Sequence, residues 1–191
     1  MGVDPMCAAA HAGKRPVDEA FLIGDGNTVG NVFVKLEGSF PAAPPVPARP
    51  VEIDQSACFY VPRVTGARVG QALRIKNGDN LLHNVHSEST KNNAFNFAEP
   101  VKGMQRDIVL KDEEMLRIGC DVHRWMTAWV GVVSHPYFAV SDAKGTFTIA
   151  NVPPGRRNVT AWHESFGTLT KPVEVKAGQT ATVDFVFAQK S

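Results

Sequence analysis

A cysteine, a histidine and a methionine stand at three-residue intervals in this chain, and that spacing constrains the fold more than any other feature. The three residues are Cys120, His123 and Met126 in the segment IGCDVHRWMTAWV, while His83 and His86 lie far upstream in the segment HNVH. A tight loop surrounds one point with three side chains only when the connecting residues are few. A fourth side chain must then come from a strand that is distant in sequence. The fold must therefore bring this loop next to the upstream histidines.

These residue types are the ligands of one kind of metal centre. A thiolate, two imidazoles and a weakly bound thioether form blue-copper electron-transfer sites, in which three short bonds hold the metal and a long axial bond tunes its potential. The sequence predicts one type 1 copper ion bound by His83, Cys120, His123 and Met126. His83 is preferred to His86 because Asn84 follows it directly, where its amide would hydrogen-bond to the Cys120 loop and brace the site. His86 is then expected at the surface.

Alternative interpretations exist for two of these ligands. Free cysteines are often buried apolar residues, so Cys120 is either an inert thiol or the metal thiolate. Met104 and Met115 compete with Met126 for the axial position, but only Met126 shares the loop that carries the other two ligands. Met115 is expected in the core.

Composition excludes several classes of function. The chain has 191 residues, 43% of them hydrophobic, which is enough for one or two domains with a sizeable core. Its formal net charge of +1 gives no reason to expect binding to nucleic acid. The apolar stretch MTAWVGVV is far shorter than the roughly 20 residues that span a bilayer, so the chain is predicted not to cross a membrane. The N-terminus lacks a charged segment followed by an apolar one, so a signal peptide was either removed or never present, and the expected location is periplasmic or secreted.

The other two cysteines bear on the same question. If Cys120 binds the metal, Cys7 and Cys58 remain as an even pair that could form a disulfide tying the N-terminal arm to the sheet. Oxidising compartments permit such a bond. The alternative is a pair of unpaired thiols.

Short alternating apolar runs separated by Gly, Pro, Asn and Asp predict a mostly β chain. The segment NNAFNFAEPVKGMQRD is expected to be a polar loop, and Asp142 and Gly145 are expected to bracket a hairpin turn. We divide it into an N-terminal arm (1–29), a copper-binding domain (30–134) and a small β unit (135–191). In the last unit Val183, Phe185 and Phe187 alternate with polar or small residues, as in a one-sided strand. About 55 residues form a small core, so this unit is expected to pack on the first or to borrow an N-terminal strand.

Two segments resemble known families. The run CFYVPRVTGARVGQALRIKNGDNLLHNV and the C-x2-H-x2-M loop resemble the cupredoxins, and the loop has the short form typical of amicyanin-like members. The segment DAKGTFTIANVPPGRRNVTAWH is similar to carboxypeptidase regulatory-like, transthyretin-type domains. The resemblance implies an all-β fold, with a cupredoxin Greek-key β-sandwich followed by a second small β-sandwich-like unit. It also implies that His83, Cys120 and His123 are equatorial copper ligands and that Met126 is the axial one.

The expected function is that of a type 1 copper protein that shuttles single electrons by cycling between Cu(I) and Cu(II), and not that of an enzyme. A redox protein partner is expected to dock near His123 and Trp125, where the His123 ring edge would reach an apolar surface. The alternative is a second metal site with small-molecule reductase or copper-handling activity. Its candidate ligands are His11, His86, His135, His163 and Glu164.

Overall fold

The computed structural model describes residues 4–11 and 19–188, and the regular structure there is almost entirely β. In this part of the chain the α-helical structure is one short helix, α1 (Pro5–Ala10), and two 3₁₀ turns occupy Glu19–Phe21 and Asp25–Asn27. The strands are β1 (Phe33–Leu36), β2 (Val51–Ser56), β3 (Phe59–Val61), β4 (Val64–Arg68), β5 (Ala72–Asn77), β6 (His83–Glu88), β7 (Asn96–Glu99), β8 (Gln105–Val109), β9 (Glu114–Gly119), β10 (Thr127–Val133), β11 (Phe138–Val140), β12 (Gly155–His163) and β13 (Gly167–Val175). The predicted all-β class is confirmed. Within the same residues, no helix has the length and apolar character needed to span a membrane.

Residues 4–11 and 45–134 form the first of two compact units, which contains two sheets. One sheet has the strand order β4-β10-β9-β6-β7 and the other the order β3-β2-β5-β8. Each sheet contains one parallel pair, β4 with β10 and β2 with β5, and its other pairs are antiparallel. The core contains buried side chains from both sheets, including Ile53, Leu73, Ile75, Val85, Leu116, Ile118 and Val130. This unit is therefore a β-sandwich.

The alternation of buried and partly exposed residues explains how these strands form the sandwich. In β6, His83, Val85 and Ser87 are buried while Asn84 and His86 are only half-buried, because successive side chains of a strand point to opposite faces. β6 and β9 are antiparallel neighbours. The first residue of β6 and the last residue of β9 therefore lie at the same end of the sheet.

Residues 19–44 and 135–188 form the second compact unit, with the strand order β11-β1-β12-β13. The early strand β1 pairs with both β11 and β12, so that Val34 lies between Ala139 and Ala161. The C-terminal unit thus contains a borrowed N-terminal strand, one of the two possibilities that its small size suggested. The boundary that we placed at residue 30 differs from this division, since β1 lies inside the C-terminal sheet.

Two segments differ from the sequence-based expectations. The stretch around Asn96–Glu99, expected to be a polar loop, contains β7, in which Phe97 and Glu99 are buried. The run 181–187 keeps its alternation, and Val183, Phe185 and Phe187 pack against the core of the second unit, but residues 176–188 are not assigned to a strand. Alternation in sequence predicts the buried face, whereas strand pairing depends on a neighbour.

Candidate metal centre

Two neighbouring strands and the loop that follows one of them place the four predicted ligands. His83 is the first residue of β6, and Cys120 directly follows β9. His123 lies in the loop between β9 and β10, and Met126 directly precedes β10. The loop turns tightly, because the Met126 backbone N–H donates to the His123 carbonyl at 2.8 Å. The loop and the distant strand end therefore meet, as their spacing in sequence requires.

The two histidine rings and the cysteine sulfur converge. The Nδ1 atoms of His83 and His123 lie 3.1 Å apart, and the Cys120 Sγ lies 3.8 Å from Nδ1 of His123. One ligand atom from each of the three residues lies within 4.8 Å of the others, and all three residues are buried. Bonds of about 2.0–2.3 Å from N and S ligands to one first-row metal ion would separate donors by roughly 3.5–4 Å. The donor set and its spacing thus fit a single metal ion.

Carboxylates orient both imidazoles. Nε2 of His83 lies 2.9 Å from Oδ2 of Asp79, and Nε2 of His123 lies 3.2 Å from Oδ2 of Asp4. A carboxylate only accepts, so each Nε2 carries a proton, and in the neutral imidazole each Nδ1 then presents a lone pair. Burial lowers the pKa of His83, an effect that Asp79 opposes in part, and the neutral form that a metal requires is thereby favoured. Two lone pairs at 3.1 Å repel each other, and either a metal ion between them or a proton on one Nδ1 removes that repulsion.

Backbone N–H groups fix the position of the Cys120 sulfur. The N–H groups of Asn84 and His123 point at the Cys120 Sγ, with N to S distances of 3.4 and 3.3 Å. Such donors stabilise negative charge on sulfur. Below them, the buried Tyr60 hydroxyl lies 2.8 Å from the Asn84 carbonyl oxygen and 3.1 Å from that of Gly119. Burial raises the pKa of Tyr60, so this hydroxyl stays a donor that ties the two ligand-bearing strands together.

The predicted brace from Asn84 is present. Its side-chain oxygen accepts the backbone N–H of Asp121 at 3.1 Å, across the gap between β6 and the ligand loop. His86 points away from His83, because three residues along a strand reverse the face. Its Nδ1 lies 2.9 Å from Oδ1 of Asp121, and its ring crosses Gly119, where an added Cβ would lie 2.7 Å from the ring. His86 is half-buried rather than fully at the surface.

Three methionines are candidates for the axial position. Met126 is buried beside Cys120 in the same core cluster, whereas Met104 is exposed. Met115, expected in the core, is only half-buried. The loop methionine is therefore the one that is buried with the ligand loop, and its role as axial ligand stays a prediction, as do those of the other three ligands.

The Cys7–Cys58 disulfide is present, as expected if Cys120 is free. Cys58 lies in the two-residue turn between β2 and β3, where Ala57 and Cys58 both have left-handed backbones with φ values of 50° and 59°. Asp79 accepts both of their N–H groups, at 2.7 and 2.8 Å, in addition to contacting His83. One carboxylate therefore fixes a strained turn, the disulfide and a predicted ligand.

Sequence reasoning missed Asp79, Asp4 and Tyr60. The position of Asp79, four residues before His83 in the polar turn NGDN, is a signal that could have indicated it. Nothing in the sequence links Asp4 to His123, because their contact depends on the path of the N-terminal segment. Asp4 is part of the site all the same: the hydrogen bond from His123, followed by that from the Cys7 N–H, lowers the pKa of its carboxyl.

His123 does not present a ring edge at the surface, so that expectation is wrong. The residue is 1% exposed, since its Nε2 is paired with Asp4 at the start of α1. Trp125 is half-buried, with its ring beside His123 and its Nε1–H donating to the Cys58 carbonyl at 3.1 Å. Partner docking near these two residues stays a prediction, and in this structure it would meet α1 and Trp125 rather than the imidazole.

The remaining histidines have other surroundings. Nε2 of His11 lies 2.8 Å from the Ala57 carbonyl oxygen, and its ring packs edge-on against Phe59. In the second unit His135 stacks on Tyr137 and His163 stacks on Phe166. Over residues 4–11 and 19–188, the groups of three or more potential metal ligands do not include His11, His86, His135, His163 or Glu164. A second metal site built from them is not assembled in this part of the chain.

Comparison with known proteins gives one family match and several structural neighbours. Residues 129–188 match the model of the carboxypeptidase regulatory-like domain, which agrees with the resemblance of the C-terminal segment. Curated protein sequences include no match to this chain.

Several solved structures are similar to about half of this chain. One is a copper-containing nitrite reductase from Thermus scotoductus SA-01, with 16% sequence identity and a TM-score of 0.42. The match covers 50% of this chain but only 25% of the length of that enzyme. A purple cupredoxin from Nitrosopumilus maritimus is 24% identical with a TM-score of 0.38, covering 43% of this chain and 98% of its own. A methionine-to-alanine mutant of amicyanin in the Cu(I) state is 18% identical with a TM-score of 0.40, covering 52% and 97%.

Proposed function

We propose that this protein binds one type 1 copper ion and shuttles single electrons between redox partners. The observation that carries this proposal is the pair of Nδ1 atoms 3.1 Å apart, each with its Nε2 held by a carboxylate and both close to a buried cysteine. A metal ion bound between two such lone pairs removes their repulsion. Two imidazoles and one thiolate are the equatorial ligands that copper takes in electron-transfer sites.

The residues have separate roles in this proposal. His83, Cys120 and His123 would hold the ion, and Met126 would supply the weak axial contact that tunes its potential. Copper bound in this way accepts and donates one electron. The strands, the Tyr60 hydroxyl and the Asn84 brace keep the ligand positions nearly constant, which lowers the reorganisation that electron transfer requires. With four protein ligands there would be no open coordination position, so we propose a carrier and not an enzyme.

The Cys7–Cys58 disulfide supports a related proposal on location. Disulfides persist in oxidising compartments, so we propose that the protein works in the periplasm or outside the cell. Fractionation of the cells that produce this protein, with a thiol assay of each fraction, tests the location directly. Recovery of the protein only in the cytosol, with both cysteines reduced, would contradict it.

The copper proposal is tested by adding one equivalent of Cu(II) to the purified apoprotein and recording visible absorption and EPR spectra. We expect an intense thiolate-to-copper band with narrow copper hyperfine splitting. Cys120→Ser should lose the band while keeping its β circular dichroism. A matched control is Ser134→Ala, at an exposed position that leads out of β10 away from the ligand loop. A pale wild-type spectrum with wide copper hyperfine splitting would contradict the type 1 assignment.

A further inference from the structure

A single N-terminal carboxylate links helix α1 to the predicted ligand His123. Oδ1 of Asp4 accepts the backbone N–H groups of Met6 and Cys7, at 2.8 and 3.2 Å, and so caps the start of α1. Oδ2 of the same side chain lies 3.2 Å from Nε2 of His123. The two oxygens have different partners, so the position of the helix and the orientation of the imidazole depend on each other.

A disulfide holds this helix in place. Cys7 lies within α1 and Cys58 lies in the turn between β2 and β3, so the bond ties the helix to the sandwich. Both sulfur atoms lie within 4.8 Å of a ring nitrogen of His123. An isolated helix of six residues is far too short to be stable in water, so α1 depends on this tether and on its contacts for its structure.

These contacts close the imidazole off from solvent. His123 is 1% exposed, and Asp4 occupies the hydrogen-bonding position at Nε2, while Nδ1 is the ring nitrogen near His83 and Cys120. Trp125 closes the adjoining side, since its ring packs beside His123 and its Nε1–H bonds to the Cys58 carbonyl. A redox partner or small reagent that approaches His123 would first meet α1 or Trp125.

Resting on the copper function proposed above, we infer that Asp4 is a positioning residue for His123, and that the disulfide-tethered helix α1 is a cover that limits electron exchange through this imidazole. The carboxylate keeps the proton on Nε2, which leaves the Nδ1 lone pair for the metal. Its negative charge also stabilises Cu(II) relative to Cu(I). Loss of the carboxylate therefore affects the potential, and loss of the tether affects access.

Two variants separate these effects. Asp4→Asn keeps an oxygen for the helix cap but turns an amide N–H₂ toward Nε2, which opposes the required tautomer. The double variant Cys7→Ser/Cys58→Ser keeps Asp4 but frees α1. Asp112→Asn is the matched control, because it removes one exposed carboxylate that lies before β9, at the opposite end of that strand from Cys120.

The first readout uses the apoprotein and needs no copper. Modification of histidines by diethyl pyrocarbonate, followed by mass spectrometry, reports access to each ring, and the half-buried His86 is the internal reference. We expect His123 to be protected in the wild type and modified at least about tenfold faster in the double serine variant, because the rate scales with the population of the open state. An unchanged rate at His123 in a folded double variant would overturn the cover. If that variant does not fold, Asp4→Ala keeps the disulfide but removes both the cap of α1 and the Nε2 partner, and it should likewise speed the modification of His123. An unchanged rate in Asp4→Ala would then overturn the cover.

The second readout uses the copper-loaded protein. We expect Asp4→Asn to have a higher reduction potential than both the wild type and Asp112→Asn, and the double serine variant to transfer electrons to hexacyanoferrate(III) at least about tenfold faster. Equal potentials in Asp4→Asn and Asp112→Asn would overturn the positioning role. A wild-type protein without a type 1 spectrum would contradict the copper function alone, since footprinting still tests the cover.

Discussion

The side-chain oxygen of Asn84 accepts the backbone N–H of Asp121 at 3.1 Å, and this bond joins the strand that carries His83 to the loop that follows Cys120. The Asn84 amide nitrogen is held in turn by Asn96 Oδ1 at 2.7 Å. The side chain is thus fixed at both ends and sets the distance between two segments that are remote in sequence.

Asn84→Ala should weaken copper binding without unfolding the protein. Asn84→Ala keeps the backbone N–H that points at Cys120 Sγ and removes only the side-chain brace to Asp121, so we expect a loss near the lower end of the roughly 10- to 100-fold range seen for outer contacts of metal sites. Competition with a chelator of known affinity measures it. The matched control, Asn158→Ala, changes an exposed asparagine of the second unit and should leave the affinity at the wild-type value. Equal affinities for the two variants would contradict the brace.

Met126→Leu should retain copper and raise the reduction potential, because leucine removes a weak axial donor that favours the oxidised metal. Met126 is buried, and leucine of similar volume is expected to fill its place with little loss of stability. Protein-film voltammetry measures the potential. Met104→Leu, at an exposed methionine, is the control. A shift in Met104→Leu but not in Met126→Leu would assign the axial position elsewhere.

Ala57→Gly should stabilise the protein. Ala57 has a φ of 50°, and a left-handed backbone costs a residue with a Cβ about 1–2 kcal/mol. Glycine avoids that cost but loses roughly 0.5–1 kcal/mol through the greater freedom of its unfolded chain, which leaves a net gain of about 0.5–1 kcal/mol. Urea unfolding with the disulfide intact measures the change. Ala72→Gly, in the strand β5, should lose stability instead.

Acidification should remove the contribution of the Glu114 carboxylate to the stability of the fold. Burial by itself raises the pKa of this carboxyl, but hydrogen bonds from Ser89, Asn92 and the Thr90 N–H outweigh it and hold the pKa below its ordinary value of 4.5. An acid with a lowered folded-state pKa stabilises the fold above its unfolded value, and that stability is lost as the pH falls through the folded value.

Urea unfolding at a series of pH values from about 6 to about 3 tests this sign. Near pH ~6, Glu114→Gln should have a lower free energy of unfolding than the wild type, and this difference should shrink as the pH falls toward ~3. Glu174→Gln, at an exposed glutamate in β13, should follow the wild-type curve. A difference that grows on acidification would show that the sign is wrong.

Much of this architecture follows from local pattern. The turn at Asp142 and Gly145 was predicted from residue type, and the Gly145 N–H indeed bonds to the Asp142 carbonyl at 2.9 Å. The alternation in β6 placed His83 and His86 on opposite faces, which is why only one of them reaches the ligand cluster. β7 was missed because its run is only four residues long and lies between polar segments.

The sequence by itself predicts the candidate ligand set. The close spacing of Cys120, His123 and Met126, together with Asn84 beside His83, dictates which side chains can meet, since a tight loop leaves few alternatives. It also left Cys7 and Cys58 as the only possible partners for a disulfide that spares Cys120.

Only the tertiary structure decided what surrounds those ligands. Asp79 and Asp4 orient the two imidazoles, and α1 buries His123 where a surface edge was expected. β1 likewise belongs to the C-terminal sheet although it precedes the first sandwich in sequence. The Asp79–His83 contact spans only four residues, so local spacing could have indicated it. The contact of Asp4 with His123 and the pairing of β1 with β12 join segments more than 100 residues apart, and no local spacing encodes them, because they depend on how the chain returns to a surface that other strands have already formed.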